Sequence, residues 1–348
     1  SQFLSPAMSA ARPTVDRVVK LSLDELAPDT ARNLTLEVDG QLLPQQGYCR
    51  TLPDGPASFT VAFAGDASTG SNNTVFSAIA AHDPLLFIHL GDMHYENISS
   101  DSPAAFHSAF DAVLAAPRQA GLYSQVPTVY MWDDHDFGPN NSYAGSTSRP
   151  AARAVFRERV PHYPLVDSGA IYHTFEVGRV LFIVTDQRSE ASNMSATDDS
   201  SKTMLGATQK QWFKDVLSAP ENEGKLFVWC CSRVWGGVPT AGADHWGGFT
   251  TERTELADFI KATCPDRFVV LSADMHSLAI DDGSNHDFAA GGGCPIPTFQ
   301  AAPLDRTGAE LHGDATYSEG QETGNYQYGV MEVTDDGTTL SIEWRGYG

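Results

Sequence analysis

Six short, almost wholly apolar runs, at 59–64, 85–90, 128–132, 180–185, 226–231 and 268–272, constrain this chain more than any other feature. Runs of this length, apolar at nearly every position, suit strands covered on both faces. Between them, 74–81, 103–114, 151–160, 208–217 and 251–263 place apolar residues at helical spacing, and Pro103 fits a first helical turn. The alternation predicts an α/β fold with a mixed sheet or a pair of sheets. At the end of the chain, 328–332 and 339–344 flank Asp335-Asp336-Gly337 and read as an antiparallel hairpin. Gly236-Gly237 and Gly291-Gly292-Gly293 read as mobile loops.

Residues 1–56 have a different texture. Short strands are expected at 16–23 and 33–38, separated by the polar turn Ala27-Pro28-Asp29-Thr30 and followed by Asp39-Gly40. About 55 residues bury too little to hold an independent core, so this segment is expected to lie against a large domain at 57–348.

Hydrophobic residues make up 41% of the 348, and no apolar run approaches the 18 residues of a membrane span. The 44 acidic against 22 basic residues give a net charge of −22, which repels a phosphate backbone and argues against a stable nucleic-acid partner. Such acidity reads either as a solvating surface or as carboxylates that hold metals. Five of the ten Asn (Asn33, Asn72, Asn97, Asn140 and Asn193) stand in Asn-x-Ser/Thr contexts, which favours a secreted, periplasmic or extracellular chain. Residues 1–13 lack the continuous apolar core of a signal peptide, which reads as a processed or trimmed chain. Five Cys with no Cys-x-x-Cys spacing support neither a zinc ribbon nor a disulfide framework.

The chemistry lies where the runs stop. Four of them end in acidic or His-bearing turns: Gly65-Asp66, Gly91-Asp92-Met93-His94-Tyr95, Asp133-Asp134-His135-Asp136 and Asp274-Met275-His276. Strand carboxyl ends in an α/β fold point to a shared crevice, so these side chains are expected to converge. Carboxylates gathered there would raise one another's pKa, a cost most simply removed by cations. One such Asp is usually a helix cap, but four, three of them followed by His, favour a metal site. Oxygen donors with a phenol and imidazoles suit ferric iron, manganese, calcium or zinc. Asp92 is the expected bridge between two ions and Tyr95 reaches the same metal, whereas His89 and Met93 read as packing residues and His94 is open between the two readings.

Gly91-Asp92-x-x-Tyr95, Trp132-Asp133-Asp134-His135-Asp136 and Ser272-x-Asp274-x-His276, in this order, resemble the alkaline phosphatase D (PhoD-like) branch of the calcineurin-like metallophosphatases. Leu205-Gly206 with Gln209 and Trp212, and Asp244-x-Trp246-x-Gly248-Phe249 with Glu252-Arg253, extend the match. The resemblance implies a four-layer α/β/β/α sandwich, preceded by a small β segment. It implies two or more metal ions, Fe3+ with Ca2+ foremost and Mn2+ or Zn2+ as alternatives. By position, Asp66, Asp92, Tyr95 and His276 would hold one ion; Asp92, Asp134 and Asp274 would hold the other, with Asn140 as a further ligand. His135 would stand near the leaving group. Asp66 occupies a place where the family usually has Cys, so the site looks more like that of purple acid phosphatases. The aromatic residue usual after the Pro-Asp-Thr turn is also missing, which points to a reduced N-terminal sandwich.

A metal-activated hydroxide would then hydrolyse phosphomonoesters, phosphodiesters or both. His135 among three carboxylates is expected to stay protonated and donate to the leaving alkoxide, with a metal ligand or an orienting hydrogen-bond donor as its other reading. Arg188, with Asp186 orienting it, is expected to contact phosphate, against the alternative of an internal salt bridge. Asp244, His245 and Trp246 either shape the substrate mouth or anchor a packed Trp. No Gly-x-Ser-x-Gly elbow or Gly-x-x-x-x-Gly-Lys loop supports a serine esterase or a nucleotide site. The rival reading outside catalysis is a calcium-stabilised extracellular binding module.

Overall fold

A computed structural model describes residues 18, 20–23, 26–308 and 317–348. Among the described residues the first element is a hairpin of β1 (Ala31–Val38) and β2 (Gln41–Arg50), followed by β3 (Phe59–Ala64), α1 (Val75–Ala81), β4 (Leu86–His89), α2 (Pro103–Ala115) and α3 (Pro117–Gln125). Next come β5 (Thr128–Tyr130), α4 (Asp134–Phe137), α5 (Arg149–Arg159), β6 (His173–Val177), β7 (Val180–Val184), α6 (Ala207–Ser218), β8 (Leu226–Cys230) and α7 (Thr250–Thr263). The remaining elements are β9 (Phe268–Ser272), β10 (Leu278–Asp281), β11 (Thr298–Ala301), β12 (Gly320–Glu322), β13 (Tyr328–Asp335) and β14 (Leu340–Tyr347). All six apolar runs contain a strand, and β13 with β14 forms the expected hairpin.

Two mixed sheets carry the fold: a five-stranded one ordered β14-β13-β3-β4-β5 and a seven-stranded one ordered β12-β10-β11-β9-β8-β7-β6. Strands β3, β4 and β5 are parallel, as are β7, β8, β9 and β11. Alternation along each strand divides the apolar side chains between two packing faces. Val61, Phe63 and Ile88 of the smaller sheet share one core with Phe182, Val228 and Leu271 of the larger. On their other faces, Ala62, Ala64 and Phe87 meet Phe76, Ile79 and Leu122 from α1 and α3, while Trp229 and Val270 meet Phe213, Leu256 and Ile260 from α6 and α7. Burial on both faces is why these strands have no polar alternation.

Four expectations need correction or completion. The strand expected at 16–23 falls partly outside the described residues, and 20–23 are not in a strand. Gly236 and Gly237 are buried, not mobile: a Cβ at either would come within 2.2 Å of the His286 ring or 2.1 Å of the His245 ring. Helix α3 and strands β2, β6, β10, β11 and β12 were not among the expected elements. The β1–β2 pair is mostly exposed and meets the body where Gly47 lies against Ser124 of α3. Among the described residues, no helix is long and apolar enough to cross a membrane.

Candidate metal centre

The carboxyl ends of β3, β4, β5, β7, β8 and β9 deliver, within a few residues, Asp66, Asp92, Asp133 and Asp134, Arg188, Arg233, and Asp274 with His276. The turns are sharp. Asp66, Asp92, Asp274 and His276 have φ of 68°, 54°, 67° and 50°, the left-handed region that costs a non-glycine residue about 1 kcal/mol or more. The turns also press together: a Cβ at Gly91 would lie 2.5 Å from the Asp133 Cβ, and one at Gly65 would lie 2.6 Å from the Ala273 Cβ. Backbone bonds tie two of them, Asp66 N–H donating to the Gly91 carbonyl at 3.1 Å and Ala67 N–H to that of Asp92 at 2.8 Å. Asp92, Tyr95, Asp134, His135, Asn140, Asp274 and His276 thereby line one cleft of about 630 Å³.

Two groups of donors occupy its floor. Asp66 Oδ1 accepts from the Tyr95 hydroxyl at 2.8 Å and lies 3.1 Å from His276 Nε2, which is itself 2.9 Å from that hydroxyl. His276 Nδ1 donates to the Thr307 carbonyl at 2.8 Å, which leaves Nε2 with a lone pair that could ligate a metal. Beside this group, Asp92, Asp134 and His135, and likewise Asp133, Asp134 and Asp274, bring potential ligand atoms within 4.8 Å of one another. Asn140 is on the exposed rim, and its neighbour Asn141 donates its backbone N–H to Asp134 Oδ2 at 2.5 Å.

The electrostatics fit a cation better than they fit an empty protein interior. Burial, and after it the neighbouring carboxylates, push Asp92 and Asp274 well above the usual carboxylate range. Burial holds Asp133 up at about 6 against Arg188, whereas at Asp134 the pull of Arg188, His135 and the Asn141 N–H outweighs burial and lowers the pKa. Asp133 Oδ2 and Asp134 Oδ1 are buried acceptors with no hydrogen-bond donor. A buried acceptor left without a donor is costly, and divalent or trivalent ions are partners of matching charge and hardness. Burial, with Asp66 and Asp92, also raises the Tyr95 phenol well above its ordinary value, so only a strong Lewis acid would draw its proton off near neutral pH.

His135 and Arg188 differ from expectation. Burial outweighs the carboxylates around His135 and lowers its pKa, so the free imidazole is not held protonated. Its Nδ1 is 2.7 Å from Asn97 Oδ1 and its Nε2 is 4.0 Å from Asp92 Oδ2. The Arg188 guanidinium is 0% exposed: Nε donates to Asp133 Oδ1 at 2.5 Å and Nη1 to Asp244 Oδ2 at 2.6 Å, with Nη2 3.6 Å from Asp134 Oδ1. Asp186 accepts the Arg188 backbone N–H, at 3.1 Å, instead of orienting its side chain. Arg188 is thus sealed beneath the cleft in an ion-pair network.

The other readings divide cleanly. Asp244 and His245 line the cleft, whereas Trp246 is fully buried against Trp229 and Trp235. His94 is buried with its ring near Phe106 and Phe110, and burial lowers its pKa to about 4; His89 and Met93 are buried too. Sequence reading missed Asp133 as the partner of Arg188 beside the donor set, Arg233 as a second partner of Asp244, and Asn97 as the residue facing His135. The signal for Asp133 was its place beside Asp134; nothing local marks the others.

The fold of two mixed sheets aligns with those of solved phosphatases. A structure of PhoD aligns over 93% of this chain and 78% of its own, with a TM-score of 0.66 and 18% identity. The purple acid phosphatase PPD1 from yellow lupin (Lupinus luteus) seeds aligns over 93% of this chain and 58% of its own (TM-score 0.59, 15% identity). A dimetal phosphatase from Danio rerio aligns over 84% and 96% (TM-score 0.53, 12% identity). The family model for PhoD-like phosphatases matches residues 60–343, and the chain belongs to that family. Alkaline phosphatase D of Bacillus subtilis (strain 168) is 25% identical over 320 residues, covering 77% of this chain. The chain spans about half the length of that relative, 54%.

Proposed function

We propose that the chain is a metal-dependent phosphoesterase that holds two or more ions and hydrolyses phosphomonoesters, phosphodiesters or both. The observation that carries this reading is the gathering of Asp66, Asp92, Asp134, Asp274, Tyr95 and His276 from both sheets, with buried carboxylate oxygens that have no donor. Asp66, Asp92, Tyr95 and His276 would hold one ion and Asp92, Asp134 and Asp274 the other, with Asn140 reaching in from the rim. Asp133 stays with Arg188 as the support of Asp134. A phenol, carboxylates and one imidazole form a hard donor set that suits Fe3+, Ca2+, Mn2+ or Zn2+, and the resemblance to PhoD-like phosphatases puts Fe3+ with Ca2+ foremost.

Such ions supply an acidified solvent nucleophile and neutralise charge on the phosphoryl oxygens. The chain's own residues do the rest. Arg188 is a positioning residue: it keeps Asp133 and Asp134 fixed and charged beneath the cleft. Asn97 accepts from His135 Nδ1, which turns Nε2 toward the cleft. An ester bearing negative charge beside Nε2 favours the imidazolium, which would then donate its proton to the departing alkoxide.

The test is hydrolysis of an aryl phosphate and a bis-aryl phosphate before chelation, after it, and after adding metal back. Stability is followed in parallel. A chain that loses stability on chelation but never cleaves either ester would be the calcium-stabilised binding module instead. His135→Ala should slow esters with poor leaving groups far more than activated aryl esters; equal losses count against the acid role.

A further inference from the structure

The arginines near the centre are not equivalent. Arg188 and Arg233 are buried and ion-paired, Arg233 through Asp244 at 3.1 Å. Arg306, half-buried in the turn after β11, has no carboxylate within ion-pair distance among the described residues, and its Nε has no hydrogen-bond partner. In a chain with 44 acidic residues, and beside a cluster of aspartates, an arginine with no ion pair among the described residues needs a reason.

Its position is fixed. The Arg306 guanidinium lies 3.9 Å over the centre of the Tyr95 ring. A cation–π contact of this kind engages the guanidinium charge without using its N–H donors in hydrogen bonds, so they remain available to an oxyanion. The backbone on both sides is anchored to the metal-binding turns. Leu304 N–H donates to the Gly65 carbonyl at 2.9 Å, the Asp305 carboxylate accepts the Ser68 N–H at 2.5 Å, and the Thr307 carbonyl accepts from His276 at 2.8 Å.

We propose that Arg306 is a substrate-binding residue, its free N–H donors engaging non-bridging oxygens of the phosphoryl group of an ester or of inorganic phosphate. It takes the role that burial denies to Arg188. A planar fork matches two phosphoryl oxygens at once, which an ammonium does not. This inference rests on the proposed phosphoesterase reading and names the residue by which that site holds its anion.

The experiment uses the metal-loaded full chain as wild type, Arg306→Ala and Arg306→Lys. Inorganic phosphate binding is measured by calorimetry, kcat and KM for an aryl phosphate by kinetics, and bound metal by elemental analysis. Arg306→Ala should weaken phosphate binding and raise KM by about tenfold or more, with metal content and Tm near wild type. Arg306→Lys should recover only part of the loss. Unchanged phosphate affinity and KM in an active protein would overturn the inference and leave the phosphoesterase reading standing. Losses that track loss of metal would also overturn it, because Arg306 would then only prop Tyr95. A wild type that neither binds phosphate nor cleaves an ester removes the reading itself, and this inference falls with it.

Discussion

The ring of Tyr95 lies 4.1 Å from the ring of His135, centroid to centroid, with the two planes tilted by 32°. The group proposed to ligate one ion therefore braces the group proposed to face the leaving oxygen. The β4 and β5 ends that carry them are joined by Asp92 as well, whose Oδ1 accepts the His135 backbone N–H at 3.1 Å. Tyr95 and His135 are one packed unit, so a change at either is felt at the other.

Tyr95→Phe separates the two roles, because it keeps the stack and deletes the hydroxyl shared by Asp66 and His276. We expect metal retention to fall by about tenfold or more, in the range seen when a group at a metal site is lost, with Tm in chelator close to wild type. Competition with a chelator, followed by elemental analysis, checks this. Undiminished retention would remove Tyr95 from the ligand set.

Arg188→Ala should destabilise the protein by about 3–5 kcal/mol, since it strands buried Asp133 and removes a partner of Asp244. Arg188→Lys should recover little, because one ammonium cannot reproduce the separate Nε and Nη1 contacts. Urea unfolding in the presence of chelator measures both. A loss below about 1 kcal/mol, the ordinary worth of a surface pair, would show that the network does not hold the floor of the cleft.

Much of this was legible in the sequence, for a physical reason that also explains what was not. Strands β3 and β9 fill the expected runs completely because both faces are covered, so apolarity continues along them. Strand β6 was missed because it is the edge of its sheet, and His173, Thr174 and Glu176 interrupt its pattern. In α3 only Gln119 and Leu122 are buried, too few to form a readable apolar face, and Pro44 disguised the exposed strand β2. The acidic turns were readable because Gly65-Asp66 and Gly91-Asp92 carry their geometry locally. The pairing of Arg188 with Asp133 and Asp244, and the stacking of Arg306 on Tyr95, join residues far apart in the chain, and no local pattern encodes them.

Two glycines distinguish close approach from mere backbone freedom. A Cβ at Gly91 would lie 2.5 Å from the Asp133 Cβ and 2.8 Å from its nitrogen, at a φ of 107°. At Gly242, with φ of 79°, a Cβ would meet nothing within 4 Å. Gly242→Ala should therefore cost about 1–2 kcal/mol from conformation alone. Gly91→Ala should cost clearly more and also lower metal affinity, because Asp92 and Asp133 must move apart. Equal losses of stability in urea, with unchanged metal retention, would contradict the packed-turn account.

Away from the centre, buried histidines set an acid limit on the fold. Burial lowers His173 to about 4 against the opposing pull of the Ile171 carbonyl, and lowers His286 to about 4 against Asp281. Unfolded imidazole titrates near 6.5, so between about pH 6.5 and 4 the unfolded chain takes up protons that the fold refuses. The sign follows: this stability is complete above about pH 6.5 and is lost as pH falls toward 4. At pH 5 the loss is about 2 kcal/mol for each residue. His173→Gln loses some packing at every pH, yet the fall in unfolding free energy between pH 7 and pH 5 should shrink by about 2 kcal/mol. Urea titrations of both proteins at the two pH values, in chelator, read this difference directly. An unchanged pH dependence would mean that folded His173 takes up its proton as readily as the unfolded chain.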